Sequence, residues 1–235
     1  FKKINFYTSA TQSLIAHTTA ITTPNKIGEY GAKALLFNKK NRKKIVGLTF
    51  LGNAYQLAVT VAFGLLGSFY YLQNTNKLPF NITEIFIGFS MIVSIFLFSI
   101  YRSKTFEKIK KFLRKITIKT QLTVLFYSFL RYLLFSFQYY YTLQILGAEN
   151  AFTSTIPLIW LMYFISSCIP SFSLADFVVK GSVALVIFQG TGIDEVTIAT
   201  TALLMWIFNY AVPAIIGGFL IVCYKPENQL GYDAK

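Results

Sequence analysis

The sequence predicts an all-α, polytopic helical membrane protein with two inverted repeats, each containing a broken helix or hairpin. Three features predict it: low charge, long apolar runs, and basic residues confined to short stretches between those runs. Of 235 residues, 54% are hydrophobic and only 13% are charged. Average soluble domains carry about 25% charged residues. A soluble fold this poor in charge could not cover its own surface.

Four apolar runs are long enough to cross a membrane as helices. About 20 residues span a hydrocarbon core of about 30 Å, and the absence of water there favours the α-helix. The predicted spans are about Ile45–Leu72, Glu84–Tyr101, Thr120–Leu146 and Asp194–Tyr224. Tyr139, Tyr140 and Tyr141 are predicted to form an aromatic belt at the outer end of the third span.

The net charge of +13 is concentrated at residues 39–44 and 102–119. This distribution is typical of cytoplasmic loops near anionic headgroups, and it argues against nucleic-acid binding. It predicts an integral membrane protein with a cytoplasmic C-terminus. The second basic stretch has apolar residues at helical spacing, which favours an amphipathic helix on the membrane surface over a solvated loop.

Two further segments, Tyr7–Phe37 and Ala151–Phe188, are interrupted near Pro24 and Pro170. The pieces on either side are shorter than a full span, so each segment predicts a hairpin or broken helix. An odd number of predicted spans separates the two segments, which makes the two copies inverted. The single transmembrane domain, residues 1–235, then consists of repeat one (about 7–101), a basic amphipathic linker (about 102–119) and repeat two (about 120–224).

Each broken segment carries an acid followed by a lysine four residues later: Glu29 with Lys33, and Asp176 with Lys180. This spacing places both side chains on one helix face, where they can pair. Inverted broken helices form the substrate sites of secondary transporters, so the four residues are expected to line one shared polar cavity. The alternative is two unrelated salt bridges near helix ends.

Two other polar residues lie in apolar segments. Arg131 is predicted either to face a cavity or an acid, or to extend towards the inner leaflet. His17 is interpreted as a neutral interior residue. The two cysteines and His17 provide no zinc site, so no metal or cofactor is expected, and no catalytic motif or soluble catalytic domain is recognisable.

These same residues resemble the flippase-like membrane domain of the lysylphosphatidylglycerol synthase family. The first signature, a proline followed by Gly-Glu and a base, is matched by Pro24, Gly28, Glu29 and Lys33. The second is matched by Pro170, Asp176, Lys180, Gly181 and Ser182, although the family often has glycines where this chain has Ser171-Phe172-Ser173. The stretch LRYLLFSFQYYYTLQILG, with Arg131 and Gln138, resembles the preceding helix, and the likeness extends from about Thr8 to Val222.

The family it resembles is bacterial and archaeal, and the resemblance implies a protein that is integral to the bacterial cytoplasmic (inner) membrane and translocates lipid. It also implies further spans before the first signature, and it does not extend to the family's aminoacyl-transferase domain. The leading hypothesis is therefore a translocase of an anionic lipid or lipid-linked headgroup that uses Glu29, Lys33, Arg131, Asp176 and Lys180. Expected partners are anionic phospholipid and either a second copy or a lipid-modifying enzyme. The alternatives are a non-transporting membrane component that binds lipid or protein, and an intramembrane transferase.

Overall fold

The computed structural model describes residues 5–21, 23, 27–37, 39–74, 112–114, 116–171 and 173–223. Within these ranges the chain is helical and contains no β-strand. The α-helices are α1 (Phe6–Ile21), α2 (Ile27–Leu35), α3 (Arg42–Asn74), α4 (Ile118–Ile145), α5 (Phe152–Cys168), α6 (Asp176–Ile187), α7 (Glu195–Trp206) and α8 (Val212–Cys223). A 3-10 turn, Ser173–Ala175, precedes α6, and a π-helical segment, Ile207–Ala211, joins α7 to α8.

The all-helical prediction is confirmed, as are both breaks and three of the four long helices, with bounds shifted by a few residues. The predicted helix Glu84–Tyr101 and most of the linker 102–119 lie outside the described residues. Helix α4 begins at Ile118 rather than at about Thr120, and Thr117 caps it by accepting a hydrogen bond from the Thr120 backbone N–H.

In the described part of the chain, two helices are long and apolar enough to cross a membrane. They are α3 and the continuous helix Glu195–Cys223 formed by α7, the π segment and α8. Only 17% and 6% of their most apolar 18-residue windows are buried. Helix α4 is also long, but with its tyrosines, its other polar residues and Arg131 it is not among these two helices. Most residues in these apolar windows are therefore at least partly exposed.

Helix α5 is the centre of the core. Its buried residues lie on every side of the helix, and they pack with buried residues of α3, α4, α6 and α7. Tyr139 of α4 belongs to this core and is 1% exposed, whereas Tyr141 is 61% exposed. The predicted belt of three tyrosines was therefore wrong, because consecutive residues of a helix point in directions about 100° apart.

The two hairpins, α1–α2 and α5–α6, are packed in a reciprocal manner. The first arm of each hairpin packs against the long helix that follows the other hairpin: α1 contacts α8, and α5 contacts α3. The second arm of each contacts the long helix that follows it in the chain, which is α3 for α2 and α7 for α6. Each hairpin is therefore held between elements from both halves of the chain.

Glycines allow the first arms to approach the long helices closely. A Cβ atom at Gly67 of α3 would collide with the backbone of α5 at Pro157 and Leu161. A Cβ atom at Gly217 of α8 would collide with the Leu14 carbonyl and the Thr18 hydroxyl of α1. At the second contact the Thr18 hydroxyl also donates to the Ala214 carbonyl at 2.9 Å.

This packing predicts different effects of substitution at two adjacent glycines of α8. Gly217→Ala should lower the free energy of unfolding by about 1–3 kcal/mol, because the new methyl group meets backbone that cannot move away. Gly218→Ala is the matched control, since its Cβ would come no closer than 4.0 Å to the Thr18 Cγ2 atom. Thermal unfolding of the two purified variants and the wild type in one detergent measures their stabilities. Equal stability of the two variants would contradict the close α1–α8 contact.

Candidate functional site

The first hairpin closes through hydrogen bonds between the end of α1 and the start of α2. The Thr23 hydroxyl accepts a hydrogen bond from the Gly28 N–H at 2.8 Å, and Thr19 donates to the Gly28 carbonyl at 3.3 Å. These bonds satisfy groups that a helix end otherwise leaves free. A side chain at Gly28 would collide with the Thr19 carbonyl, so the tight turn requires glycine there. Pro24 lies outside the described residues.

The second hairpin opens at Pro170. A residue before proline is disfavoured in helical conformation, and Ile169 accordingly has an extended backbone with φ −95° and ψ 113°. The chain resumes in the 3-10 turn, after which α6 begins at Asp176. The acid therefore lies in the first turn of its helix, where the helix dipole stabilises a negative charge.

The two predicted acid–lysine pairs are both formed. The Lys33 Nζ atom lies 2.6 Å from Glu29 Oε1, and the Lys180 Nζ atom lies 2.6 Å from Asp176 Oδ2. The four side chains are between 19% and 28% exposed, so neither pair is fully withdrawn from its surroundings. Each acid is the first-turn acid of its helix, and each lysine lies one turn later.

Aromatic rings surround the second pair and connect it to the first hairpin. The Lys180 ammonium lies 5.7 Å from the Tyr163 ring centroid and 5.3 Å from that of Tyr210, within the range of cation–π attraction. Tyr210 belongs to the π-helical segment, and its ring centroid lies 5.5 Å from that of His17 in α1. Helix α1 also contacts the 3-10 turn of the second hairpin. The hairpins therefore meet at α1, while His17 packs in the interior against an aromatic ring.

A cleft of about 470 Å³ lies between α1, α2, α3 and α4. Glu29, Lys33 and Arg131 line it, whereas Asp176 and Lys180 are not among its lining residues. The structure thus brings three of the five predicted site residues together and leaves the second pair apart from them. The predicted shared cavity for both pairs is not formed by this cleft.

Polar side chains from each of the four helices line the cleft. Those of α3 recur at every third or fourth position, so that they share one face of the helix. The polar lining residues besides the charged ones are Ser9, Gln12, Ser13, Thr49, Asn53, Gln56, Tyr127 and Ser128. The Asn53 amide donates to the Tyr30 hydroxyl at 2.8 Å and so ties α3 to α2 beside the cleft.

Two lining residues, Arg131 and Gln12, carry polar groups that the described residues compensate only in part. Among the described residues no acid pairs with Arg131; its guanidinium carbon lies 5.4 Å from the Phe135 ring centroid. Gln12 is 7% exposed, and its Nε2 atom has no hydrogen-bond acceptor in the part of the chain that the structure describes. Buried amide donors are nearly always paired. Other described residues, such as Tyr132, Ser136 and Tyr139, also have a buried polar atom without a partner, but they do not line the cleft, whereas Gln12 does.

Gln12, Asn53 and Gln56 also line the cleft and were not predicted from the sequence. The signal was present in α3, where Thr49, Asn53 and Gln56 recur at helical spacing inside an otherwise apolar run. Gln12 had no comparable signal, because α1 is rich in polar residues on several faces. For the described residues there is also no group of three or more His, Cys, Asp or Glu that could hold a metal ion.

Comparison of the chain with protein-family models, with curated proteins and with solved structures finds no match.

The geometry of the first turn yields a second prediction. Gly28→Ala should destabilise the protein by about 1–3 kcal/mol, because its methyl group would displace the Thr19 carbonyl and separate α2 from α1. Gly31→Ala in the same helix is the control, since nothing lies within 4 Å of its Cβ position. Thermal unfolding in detergent compares the two. A Gly28→Ala variant as stable as Gly31→Ala would show that the turn is not as tight as described.

Proposed function

We propose that this chain is an integral membrane protein that translocates an anionic lipid or lipid-linked headgroup, which binds in the cleft between α1, α2, α3 and α4. The observation that carries the proposal is the composition of the cleft. It combines an ion pair, an arginine that no acid of the described residues pairs with, and many amides and hydroxyls, in a bundle whose two long apolar helices are mostly not buried. Such polar groups are costly in lipid unless they serve a function.

The exposure of the long helices supports a membrane location. A helix as apolar as Glu195–Cys223 would be buried in a soluble core, but few residues of its apolar window are buried. Large side chains such as Phe208, Phe219 and Val222 are 60–85% exposed. Soluble monomers rarely expose apolar surface on this scale. Lipid is the surrounding that accounts for it.

The distribution of basic residues indicates how the cleft is oriented in the membrane. The lining residues of α3, from Ile45 to Gln56, lie in the first half of that helix, directly after the basic stretch at residues 39–44. By the positive-inside rule this half lies towards the cytoplasm. Arg131 lies roughly 20 Å along α4 from Ile118, given 1.5 Å per residue. The cleft then extends from the inner leaflet towards the middle of the membrane.

The reciprocal packing of the hairpins supports an inverted repeat. An approximate twofold axis in the membrane plane would exchange α1–α2 with α5–α6 and α3 with α7–α8, and the helix contacts follow this exchange. Inverted repeats with broken helices allow transporters to open alternately to the two sides. The resemblance to the flippase-like domain points to the same class of activity, with lipid as the transported molecule.

Leaflet-resolved transport in proteoliposomes tests the proposal. Wild-type protein should accelerate the exchange of a fluorescent phosphatidylglycerol between leaflets, measured by quenching of the outer leaflet. Lys33→Gln and Arg131→Gln should each slow this exchange by about tenfold or more, because a charged hydrogen bond to the phosphate contributes roughly 1.5–3 kcal/mol. Lys119→Gln removes a positive charge from an exposed position of α4 outside the cleft and should have no such effect.

Two outcomes would contradict the proposal. A stable Lys33→Gln, Arg131→Gln double variant with wild-type exchange rates would move the translocation pathway away from this cleft. Absence of exchange by the wild-type protein, together with retained lipid binding, would instead favour a non-transporting membrane component.

A further inference from the structure

We propose that the lipid bound in the cleft carries one phosphodiester and a polyhydroxylated headgroup of sugar size. This inference deepens the proposed function, on which it rests for the lipid surrounding of the cleft. It depends on the charge balance of the lining, on the kind of neutral polar groups around it, and on Gln12.

The charge balance favours a ligand with a single negative charge. Among the described residues, Glu29 already compensates Lys33 at 2.6 Å, which leaves the charge of Arg131. The charged lining residues in this part of the chain are two bases and one acid, which sum to a net charge of +1. A phosphodiester carries one negative charge and offers the two oxygens that a guanidinium binds in bidentate fashion. A diphosphate would leave negative charge uncompensated.

The neutral lining favours a polyol. Serine and threonine hydroxyls and the amides of Gln12, Asn53 and Gln56 each offer both donors and acceptors, as sugar hydroxyls do. They are distributed over α1, α3 and α4, so they face a bound group from several directions. The volume of about 470 Å³ lies within the usual range of sites for small molecules. A bare phosphate would leave most of these groups without a partner.

Gln12 provides the strongest local indication of a ligand. Its Nε2 donor is buried and has no acceptor among the described residues, in a residue that lines the cleft. An unsatisfied buried donor lowers stability, and an apolar residue of similar shape would avoid that cost. A residue that lowers the stability of the empty protein is expected where a ligand supplies the missing partner. A headgroup hydroxyl oxygen would accept this hydrogen bond.

Native mass spectrometry of the detergent-solubilised protein, titrated with single lipids, tests the inference. Phosphatidylinositol, which has a ring polyol, should bind more tightly than phosphatidylglycerol, and phosphatidylglycerol more tightly than phosphatidic acid. Soluble glycerophosphoinositol distinguishes the source of the ligand: it should bind weakly, because it lacks the acyl chains that lie in the surrounding lipid. Equal affinity for phosphatidylinositol and phosphatidic acid would overturn the inference, as would binding of glycerophosphoinositol as tight as that of the lipid.

Gln12→Leu separates recognition of the polyol from charge. It should lower the affinity for phosphatidylinositol by about three- to tenfold, the effect of one hydrogen bond, and leave the affinity for phosphatidic acid unchanged. The thermal stability of the lipid-free variant should equal or exceed that of the wild type. Arg131→Gln should lower the affinity for all three lipids, and Lys119→Gln should leave all three affinities unchanged.

A purely structural role for Gln12 would give a different pattern, namely lower stability and equal loss of affinity for every lipid, and this pattern would refute the proposal. Failure of the transport assay with retained preference for phosphatidylinositol would reject translocation but keep the headgroup assignment. Transport of phosphatidylglycerol without any preference for polyol headgroups would support translocation but reject the headgroup assignment.

Discussion

A charged side chain on an apolar helix requires a partner, and this requirement explains most of the arrangement around the two hairpins. Glu29 and Asp176 each lie in the first turn of a short helix and hold a lysine one turn later at 2.6 Å. Both pairs are partly exposed, so each can form within its own hairpin and still contact another group. Arg131 has no acid beside it in the described part of the chain, which makes the cleft electropositive.

Close helix packing then determines where these pairs lie relative to one another. Glycines in α3 and α8 let each long helix approach the first arm of the opposite hairpin, so neither hairpin can shift without moving elements of the other half. Around Lys180, the rings of Tyr163 and Tyr210 occupy the space next to the pair. Next to Lys33 lies the cleft with its polar side chains. The two pairs share local geometry but have different surroundings.

The sequence predicted three long helices, both breaks and both ion pairs of the described residues, because these depend on local rules: apolar length, proline, and i, i+4 spacing. The lining of the cleft was less accessible. Arg131 was recognised by its charge, but Gln12 and Asn53 matter because α1, α2, α3 and α4 converge, and helix order along the chain does not reveal that convergence. The predicted tyrosine belt was wrong for another reason. Three consecutive tyrosines were interpreted as one surface, although consecutive side chains of a helix point in different directions, and Tyr139 faces the core.

Two adjacent positions of α3 test most directly whether the cleft is hydrated and the bundle is surrounded by lipid, as we propose. In a background without Cys168 and Cys223, Asn53→Cys would lie in the cleft, whereas Ala54→Cys would lie at an exposed position outside its lining. A charged, membrane-impermeant thiol reagent added from the cytoplasmic side should modify the cysteine at position 53 and leave the one at position 54 unmodified in lipid vesicles. Both should react once the protein is unfolded in denaturant. Equal reaction of the two folded variants would place both faces of α3 in water and contradict the account.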